Sequence, residues 1–518
     1  MPEIKEQKPP SRRAATIGNL VSQYAAIVLV VVNGILLVPL YLAKIDYVLY
    51  SAWLATGNVL AWLSLAEGNM NLLIRREVAC AYGQRQAEEL GQAIGTGLVV
   101  NGLVGLFPTL IGMFVAWFLP GWLGLSGNNS GELILAVSLA AVSVGLTVAA
   151  GAPGSVQQGL QRNIAHCAIF IFAAIMGIAA TVLLLYKGWG VLAIPTGLIV
   201  RFALENLVRW PYVFYLTKVK LGVSISFSWG EVRRIFRLTL WTLIEKLGQR
   251  LVLNLDAFVV GVVMDVTLVP IVVLTKRAWD VVYMLTNRLG VAIMPSLAHI
   301  RGEGQDEKFR LFSRRLLNIV GVSSGVMLAV TIAVNKNFMR VWLSRSDLYA
   351  GDLFNILLGL AMFSLAFANN VRQPLFAAGF VKEVSLVSIV QSLARAVTLV
   401  GLMYWIGIYA VPVSLLLTVP LVGGAYMLGL LKRELHFSSV RLTKTMAEIC
   451  ITIVACTAIG FVLTWLPDTL SWAALSMKGL AILLGTTILL LLLTPSGWRL
   501  LRKKFVSRTG RVSTVELK

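Results

Sequence analysis

Nine basic side chains stand inside long apolar stretches of this 518-residue chain: Arg201, Arg209, Lys246, Arg250, Lys276, Arg277, Arg288, Arg372 and Arg395. Five acidic ones share those stretches: Glu67, Glu205, Glu245, Asp256 and Asp280. A charge at the centre of a bilayer costs about 2.5–3.5 kcal/mol on insertion scales, so such groups are kept for partners or for function. Pairing alone calls for equal numbers of each sign. An excess of cations in a confined, poorly polarisable space attracts an anion, and the guanidinium fork matches phosphate oxygens. The eight cations Arg395, Lys276, Arg277, Arg288, Arg201, Arg250, Lys246 and Arg372 are therefore the candidate cavity and ligand-binding groups. The five acids suit charge balance or the carriage of a coupling proton.

The spacing supports shared faces. The stretch "LTKRAWDVVYMLTNRL" runs from Leu274 to Leu289. At about 100° per residue, Tyr283, Lys276, Asn287, Asp280, Arg277 and Arg288 fall within an arc of roughly 140°. Val273, Val281, Val282 and Leu285 lie mostly on the other side. Glu245, Lys246, Gln249, Arg250, Asn254 and Asp256 fit within about 180° of a second helix. Arg201, Glu205 and Arg209 step by four along a single ridge about 12 Å long. Asn19 and Gln23 make a smaller pair of the same spacing.

Each group also has a structural reading. Arg201–Glu205 and Lys276–Asp280 have the spacing of i,i+4 ion pairs. Arg209 has the position to snorkel to the membrane surface, and Arg288 and Arg372 share that option. Glu67 can pair with Arg75 or Arg76. Lys246 and Arg250 suit an access funnel or a structural contact. Arg395, near the middle of its segment, is expected to bind ligand or gate its path. Asp256 and Asp280 suit either a coupling proton or the neutralisation of neighbours.

Other chemistries find no support. Cys80, Cys167, Cys450 and Cys456 lack metal-ligand spacing and read as buried small hydrophobes. The three histidines form no cluster, so no metal and no cofactor are expected. Gly91 and Gly95 in "GQAIGTG" lack the lysine of a phosphate-binding loop and suit close helix packing. The sequon "NNS" at 128–130 carries little weight alone. Trp53, Trp62, Trp117 and Trp122 read as interface anchors.

The elements that must hold these charges are membrane helices. Hydrophobic residues make up 58% of the chain, charged ones 13%, and the mean hydropathy is +0.81. Runs of about 20 apolar residues, each enough to span a bilayer, recur along the chain. The expected fold is an all-α polytopic membrane protein of about 14 spans, at 17–43, 47–74, 91–118, 132–154, 165–186, 189–216, 239–263, 267–297, 315–342, 352–375, 383–406, 409–431, 446–466 and 476–496. The short alternating strands of a β-barrel are absent. The first apolar segment lacks a cleavage site and is expected to direct insertion itself.

Loop charge orients the chain. With both termini on one side, thirty Lys and Arg residues fall in loops and tails on that side and six on the other. The remaining nine of the 45 are the intramembrane set. The bias places both ends in the cytoplasm. It also accounts for the net charge of +21 as topology, so a nucleic-acid partner is not expected. The tail "GWRLLRKKFVSR" suits anionic lipid headgroups.

The halves resemble each other. Gly83, Gln86 and Glu88 align with Gly302, Gln305 and Glu307 at an offset of 219, as does Asp46 with Asp265. Gly159 and Arg162 align with Gly379 and Lys382 at 220. Six spans per copy is an even number, which makes the repeat parallel, as in several secondary transporters. The expected organisation is a tail at 1–16, a six-helix lobe at 17–216, a basic linker at 217–238, a second six-helix lobe at 239–432, two added helices within 446–496, and a basic tail at 497–518.

"VPLYLAKIDYVLYSAWLATGNVLAWLSLAEGNMNLLIRREVACAYG" resembles the first spans of Wzx-type polysaccharide flippases, with Glu67–Gly68 before the basic loop. "NLDAFVVGVVMDVTLVPIVVLTKRAW" resembles their seventh and eighth spans, with Asp256 at the usual acid position, and "AIMPSLAHIRGEG" resembles the end of the eighth. The likeness covers roughly 17–430. Val269–Pro270 replaces the usual tyrosine early in the eighth span, and two spans exceed the common twelve. These flippases belong to the multidrug/oligosaccharidyl-lipid/polysaccharide exporter superfamily. The resemblance implies movement of an undecaprenyl-diphosphate-linked oligosaccharide to the outer leaflet of the inner membrane. Its partners would be that anionic lipid-linked glycan, membrane lipids and other polysaccharide-assembly proteins.

Alternating access of two lobes is the expected mechanism. No nucleotide-binding motif is present, so an ion gradient or the substrate gradient is the expected drive. A multidrug or cation antiporter of the same superfamily would want an acidic cavity, against which five acids and nine bases argue. A membrane-embedded glycosyltransferase, ligase or polymerase needs carboxylates or a metal site outside the membrane, and the outer loops hold no paired acids. The chain is not expected to be an enzyme.

Overall fold

The computed structural model describes residues 34–67, 70–345, 347–433, 436, 439–465, 467 and 471–493. The expectations for Asn19, Gln23 and both basic tails lie outside these residues, as do the side chains of Glu67 and Glu245. All regular structure among the described residues is helical: α1 (Gly34–Lys44), α2 (Tyr47–Leu63), α3 (Met70–Gly83), α4 (Ala87–Trp122), α5 (Asn128–Gly159), α6 (Asn163–Tyr186), α7 (Ala193–Phe214), α8 (Trp229–Asn254), α9 (Asp256–Val263), α10 (Val269–Gly302), α11 (Asp306–Leu343), α12 (Asp352–Ala377), α13 (Val381–Ile406), α14 (Ala410–Thr418), α15 (Ala425–Arg433), α16 (Ser439–Leu463) and α17 (Trp472–Leu493).

Nine helical segments among the described residues are long and apolar enough to cross a membrane. Their outer faces confirm the solvent they need. Leu103, Phe107, Leu110, Phe114 and Trp117 of α4 form an exposed apolar stripe that water would not tolerate at this length. The protein is a multi-pass membrane protein. α10, at 34 residues, is also long enough to span.

Three expected spans are interrupted, one of them, 409–431, by the π-helical segment Val419–Gly424 between α14 and α15. The segment 47–74 divides into α2, a 3-10 turn at Ser64–Glu67, and α3. The segment 239–263 divides where α8 ends and α9 begins, at Leu255–Asp256. Two cysteines also depart from expectation: Cys80 and Cys450 are exposed, while Cys167 and Cys456 are buried, and all four are free. Trp53 is buried instead of anchoring at a surface.

The chain forms two compact units, Met1–Pro270 and Ile271–Lys518. In the first, an extended strap joins α7 to α8. Leu221 and Val223 of the strap sink among Ile74, Val78, Leu90, Ile94 and Val156. Ser226 donates its N–H to the Gly91 carbonyl at 3.2 Å, and the Ser228 N–H reaches Thr96 Oγ1 at 3.0 Å. A Cβ at Gly91 would stand 2.1 Å from the Ser224 carbonyl oxygen, and one at Gly95 2.1 Å from that of Ser226. These glycines admit an extended backbone, not a neighbouring helix. In the second unit, Leu297, Phe309, Leu317, Val371, Leu375, Met427 and Leu431 form a core, and α16 and α17 lie against α11.

The repeat is visible in matched turns. Gln86 N–H bonds Ala81 O at 3.1 Å, and Gln305 N–H bonds Ile300 O at 3.2 Å, with Arg85 and Gly304 in the left-handed region between them. Asp46 accepts from the Leu49 N–H and Asp265 from the Thr267 N–H. Further on, Gln161 is the left-handed residue corresponding to Gly379, so the register there is 218 and Gly159 is not its counterpart.

One matched contact carries exchanged residues. The Asn71 side chain of α3 fills the space where Gly151 of α5 lacks one; 219 residues on, Gly290 of α10 makes the space that Asn370 of α12 fills.

Candidate functional site

In the second unit, α10 is held to α12 by one polar seam. Trp279 Nε1 donates to Asn355 Oδ1 at 2.8 Å, and Asn369 donates its amide to the Tyr283 hydroxyl. Asn335 of α11 donates to the Thr275 carbonyl at 3.0 Å and to Asn355 Oδ1 at 2.8 Å. The Thr275 hydroxyl accepts from the Ala350 N–H at 3.1 Å. This seam fixes the rotation of α10. Tyr283 therefore belongs to the α12 contact, not to the open part of the charged stripe.

The rest of the stripe turns progressively outward. Lys276 is buried, with Nζ 3.9 Å from Asp280 Oδ1, and Asp280 is half-exposed. Arg277 is half-buried, its Nε without a hydrogen-bond partner. Arg288 is exposed.

Arg372 and Arg395 lie deep in the same unit, 2% and 0% exposed. Arg372 therefore does not snorkel. Its Nη2 donates to Gln391 Oε1 at 3.4 Å, and Gln391 stands one turn before Arg395 on α13. The π-helical segment Val419–Gly424 brings Gly423 against this glutamine: a Cβ there would stand 1.9 Å from Oε1. π-helical insertions concentrate at functional sites. The fold thus gathers Arg372, Gln391 and Arg395 by packing α12, α13 and this segment together.

In the first unit, Glu205 serves two arginines. Its Oε1 lies 3.3 Å from Arg201 Nε and its Oε2 lies 2.8 Å from Arg209 Nη1. Arg209, 4% exposed, also donates to the Ala150 carbonyl at 3.3 Å. It is internal and does not reach the membrane surface. Arg201 is partly exposed, its guanidinium 4.9 Å from the Phe170 ring centre and 4.8 Å from that of Phe202. Asp256 is buried in the first turn of α9, Lys246 is half-buried and Arg250 is exposed. No group of three metal-ligating side chains occurs among the described residues.

Sequence reasoning overlooked the amides. Gln391, Asn369, Asn335 and Asn355 hold or orient the charged and aromatic groups, yet each looks like an isolated polar residue in an apolar run. Burial of an amide in a membrane helix is itself the signal, because it demands a partner.

Residues 100–347 match the family model described as "Polysaccharide biosynthesis protein". No curated protein matches the chain by sequence. Among solved structures, the chain is similar to "Lipid II flippase MurJ, inward closed conformation", with TM-score 0.64 and 13% identity over 92% of this chain and 97% of that one. It is similar to a MATE protein solved in complex with MaD3S, with TM-score 0.55 and 13% identity over 85% of this chain and 96% of that one. It is also similar to an inward-facing multidrug resistance MATE family transporter of the MOP superfamily, with TM-score 0.54 and 13% identity over 86% and 95%. At these identities the likeness is one of fold. Family match and fold together support the resemblance to Wzx-type polysaccharide flippases.

Proposed function

We propose that the protein is a flippase that moves a lipid-diphosphate-linked oligosaccharide, a polysaccharide repeat unit, across the cytoplasmic membrane. The observation that carries this reading is the cationic excess inside the membrane, nine bases against five acids, with Arg372 and Arg395 wholly enclosed. A diphosphate is the chemistry that such an excess recognises. The polysaccharide-biosynthesis family match and a fold shared with a lipid II flippase support the same substrate class.

Arg395, Arg372, Lys276, Arg277, Arg288, Arg201, Arg250 and Lys246 would meet the anionic headgroup in turn while the lipid tail stays in the bilayer. Asp256, Asp280, Glu205, Glu245 and Glu67 would balance charge or carry the coupling ion. Two lobes, 17–216 and 239–432, would provide alternating access. The loop-charge bias puts both termini in the cytoplasm. No bond is made or broken, so no catalytic group is needed.

Deletion of the gene tests the proposal. A lipid-linked glycan should accumulate facing the cytoplasm. Accumulation of none, together with raised sensitivity to cationic drugs, would favour the multidrug antiporter that the MATE likeness also permits. Transport persisting unchanged in gradient-free vesicles without substrate excess would remove ion coupling.

A further inference from the structure

A second group of buried polar atoms lies in the first unit, where α3, α5, α6 and α7 meet. Gly154 of α5 marks its floor: a Cβ there would stand 3.2 Å from Arg209 Nη1 and 3.2 Å from His166 Cε1. Gln157 and Gln158 follow on the same face of α5. Gln158 Nε2 lies 2.9 Å from His166 Nε2. With the glutamine amide as donor, a neutral His166 carries its proton on Nδ1. That Nδ1 is buried and meets no acceptor.

Three more donors share this state. Arg209 Nε, Arg75 Nε and Gln157 Nε2 are buried without a hydrogen-bond partner. Gln157 is 0% exposed, and its oxygen is also unbonded. Arg209 and His166 both border the Cβ position of Gly154, and Arg75 packs against the same helix, its carbonyl oxygen 3.0 Å from the Cβ position of Gly159.

The charge balance is equally incomplete. Both oxygens of Glu205 are taken, one by Arg201 and one by Arg209. Arg75 makes no ion pair among the described residues. With Glu205 shared between Arg201 and Arg209 and no such pair for Arg75, net positive charge stands with these four idle donors. Buried donors without acceptors and buried charge without counter-charge are both costly. Water would answer the donors and leave the charge. A negatively charged group rich in acceptor oxygens answers both.

We propose that Arg75, His166, Arg209 and Gln157 form a binding site for a phosphate oxyanion, supplied either by inorganic phosphate or by the phosphodiester of an anionic lipid. Arg75 and His166, both half-buried, form its opening. Arg209 closes its inner end, held in place by Glu205 and the Ala150 carbonyl. The site is distinct from the Arg372–Arg395 cluster and does not rest on the transport reading.

The test is thermal unfolding of the purified full chain in phospholipid-free detergent, with sodium phosphate exchanged for sodium chloride at constant ionic strength. Inorganic phosphate should raise the midpoint by on the order of 2 °C. The rise should vanish in Arg75→Gln and in Gln157→Leu. Neither variant removes an ion pair, and the second replaces an unbonded amide by an apolar group. Gly154→Ala, which narrows the floor, serves as a third variant should one fail to fold. A parallel series in phosphatidylcholine nanodiscs with and without phosphatidylglycerol separates the sources: a shift with the anionic lipid alone identifies the headgroup. No shift with either probe, or a shift that persists in the variants, overturns the site.

Discussion

Arg209 Nη1 stands 2.8 Å from Glu205 Oε2, one turn earlier on α7, with both side chains buried. The pair is internal, so its members depend on each other far more than a surface pair would. Glu205→Gln leaves a buried guanidinium uncompensated, at a cost of about 3–5 kcal/mol. The variant should show sharply reduced folded yield by size-exclusion chromatography. Arg201→Gln, which removes the half-exposed partner, should cost about 1 kcal/mol or less.

The strap predicts a strong effect from a small change. Gly91→Ala and Gly95→Ala each push a Cβ into a main-chain carbonyl that cannot rotate away. Each should destabilise by about 1–3 kcal/mol. Limited proteolysis should then cut within Leu221–Ser228, a segment the native contacts protect. Unchanged protection would show that the strap is not held by these glycines.

For transport, Arg395→Gln and Lys276→Ala should each lower surface export of the glycan by roughly tenfold or more, the size expected for a lost charge-assisted contact. Membrane insertion should be unaffected. Full export in both would remove the cationic cavity from the mechanism.

The Asn–Gly exchange makes a double-mutant prediction. Gly151→Asn should place two amides in one space and destabilise by about 1–3 kcal/mol. Adding Asn71→Gly removes the clash but also takes the acceptor of the buried Asn101 amide, 2.7 Å away, so it should recover part of that loss, read as coupling in a thermal double-mutant cycle.

The turn before α10 carries a pH signature. Hydrogen bonds from the Thr267 hydroxyl and N–H hold the Asp265 carboxyl below its ordinary 3.8. The folded form therefore keeps fewer protons than the unfolded one near that value. The resulting stabilisation is complete at neutral pH and is lost as the pH falls through the depressed value. Asp265 is well exposed, so the effect is small. Thr267→Val should lower the unfolding midpoint at pH 7, and the gap from the parent should narrow as the carboxyl becomes protonated in acid.

Much of the fold was legible because bilayer burial imposes long apolar runs. α4 to α7 and α11 to α17 coincide closely with the expected segments. The breaks at Ser64 and Leu255 were not legible, since the apolar pattern continues through them. Arg201, Glu205 and Arg209 could be read as one ridge from their spacing of four. The depth of Arg209 could not, because it follows from the neighbouring Ala150 carbonyl on α5. The link between Arg372 and Gln391 spans two helices and involves a neutral amide, so charge patterning passed over it. The swap of Asn71 and Gly151 against Gly290 and Asn370 was present at the 219-residue offset, but a reversed pair scores as two mismatches.

That reversal also bears on how the two halves could have diverged. Each copy is self-consistent, with one amide and one gap at the contact. A crossover between the copies that fell between the third and fifth helical elements would join amide to amide or gap to gap. The contact therefore acts as a local barrier to gene conversion, allowing exchange of the two helices together and penalising exchange of either alone.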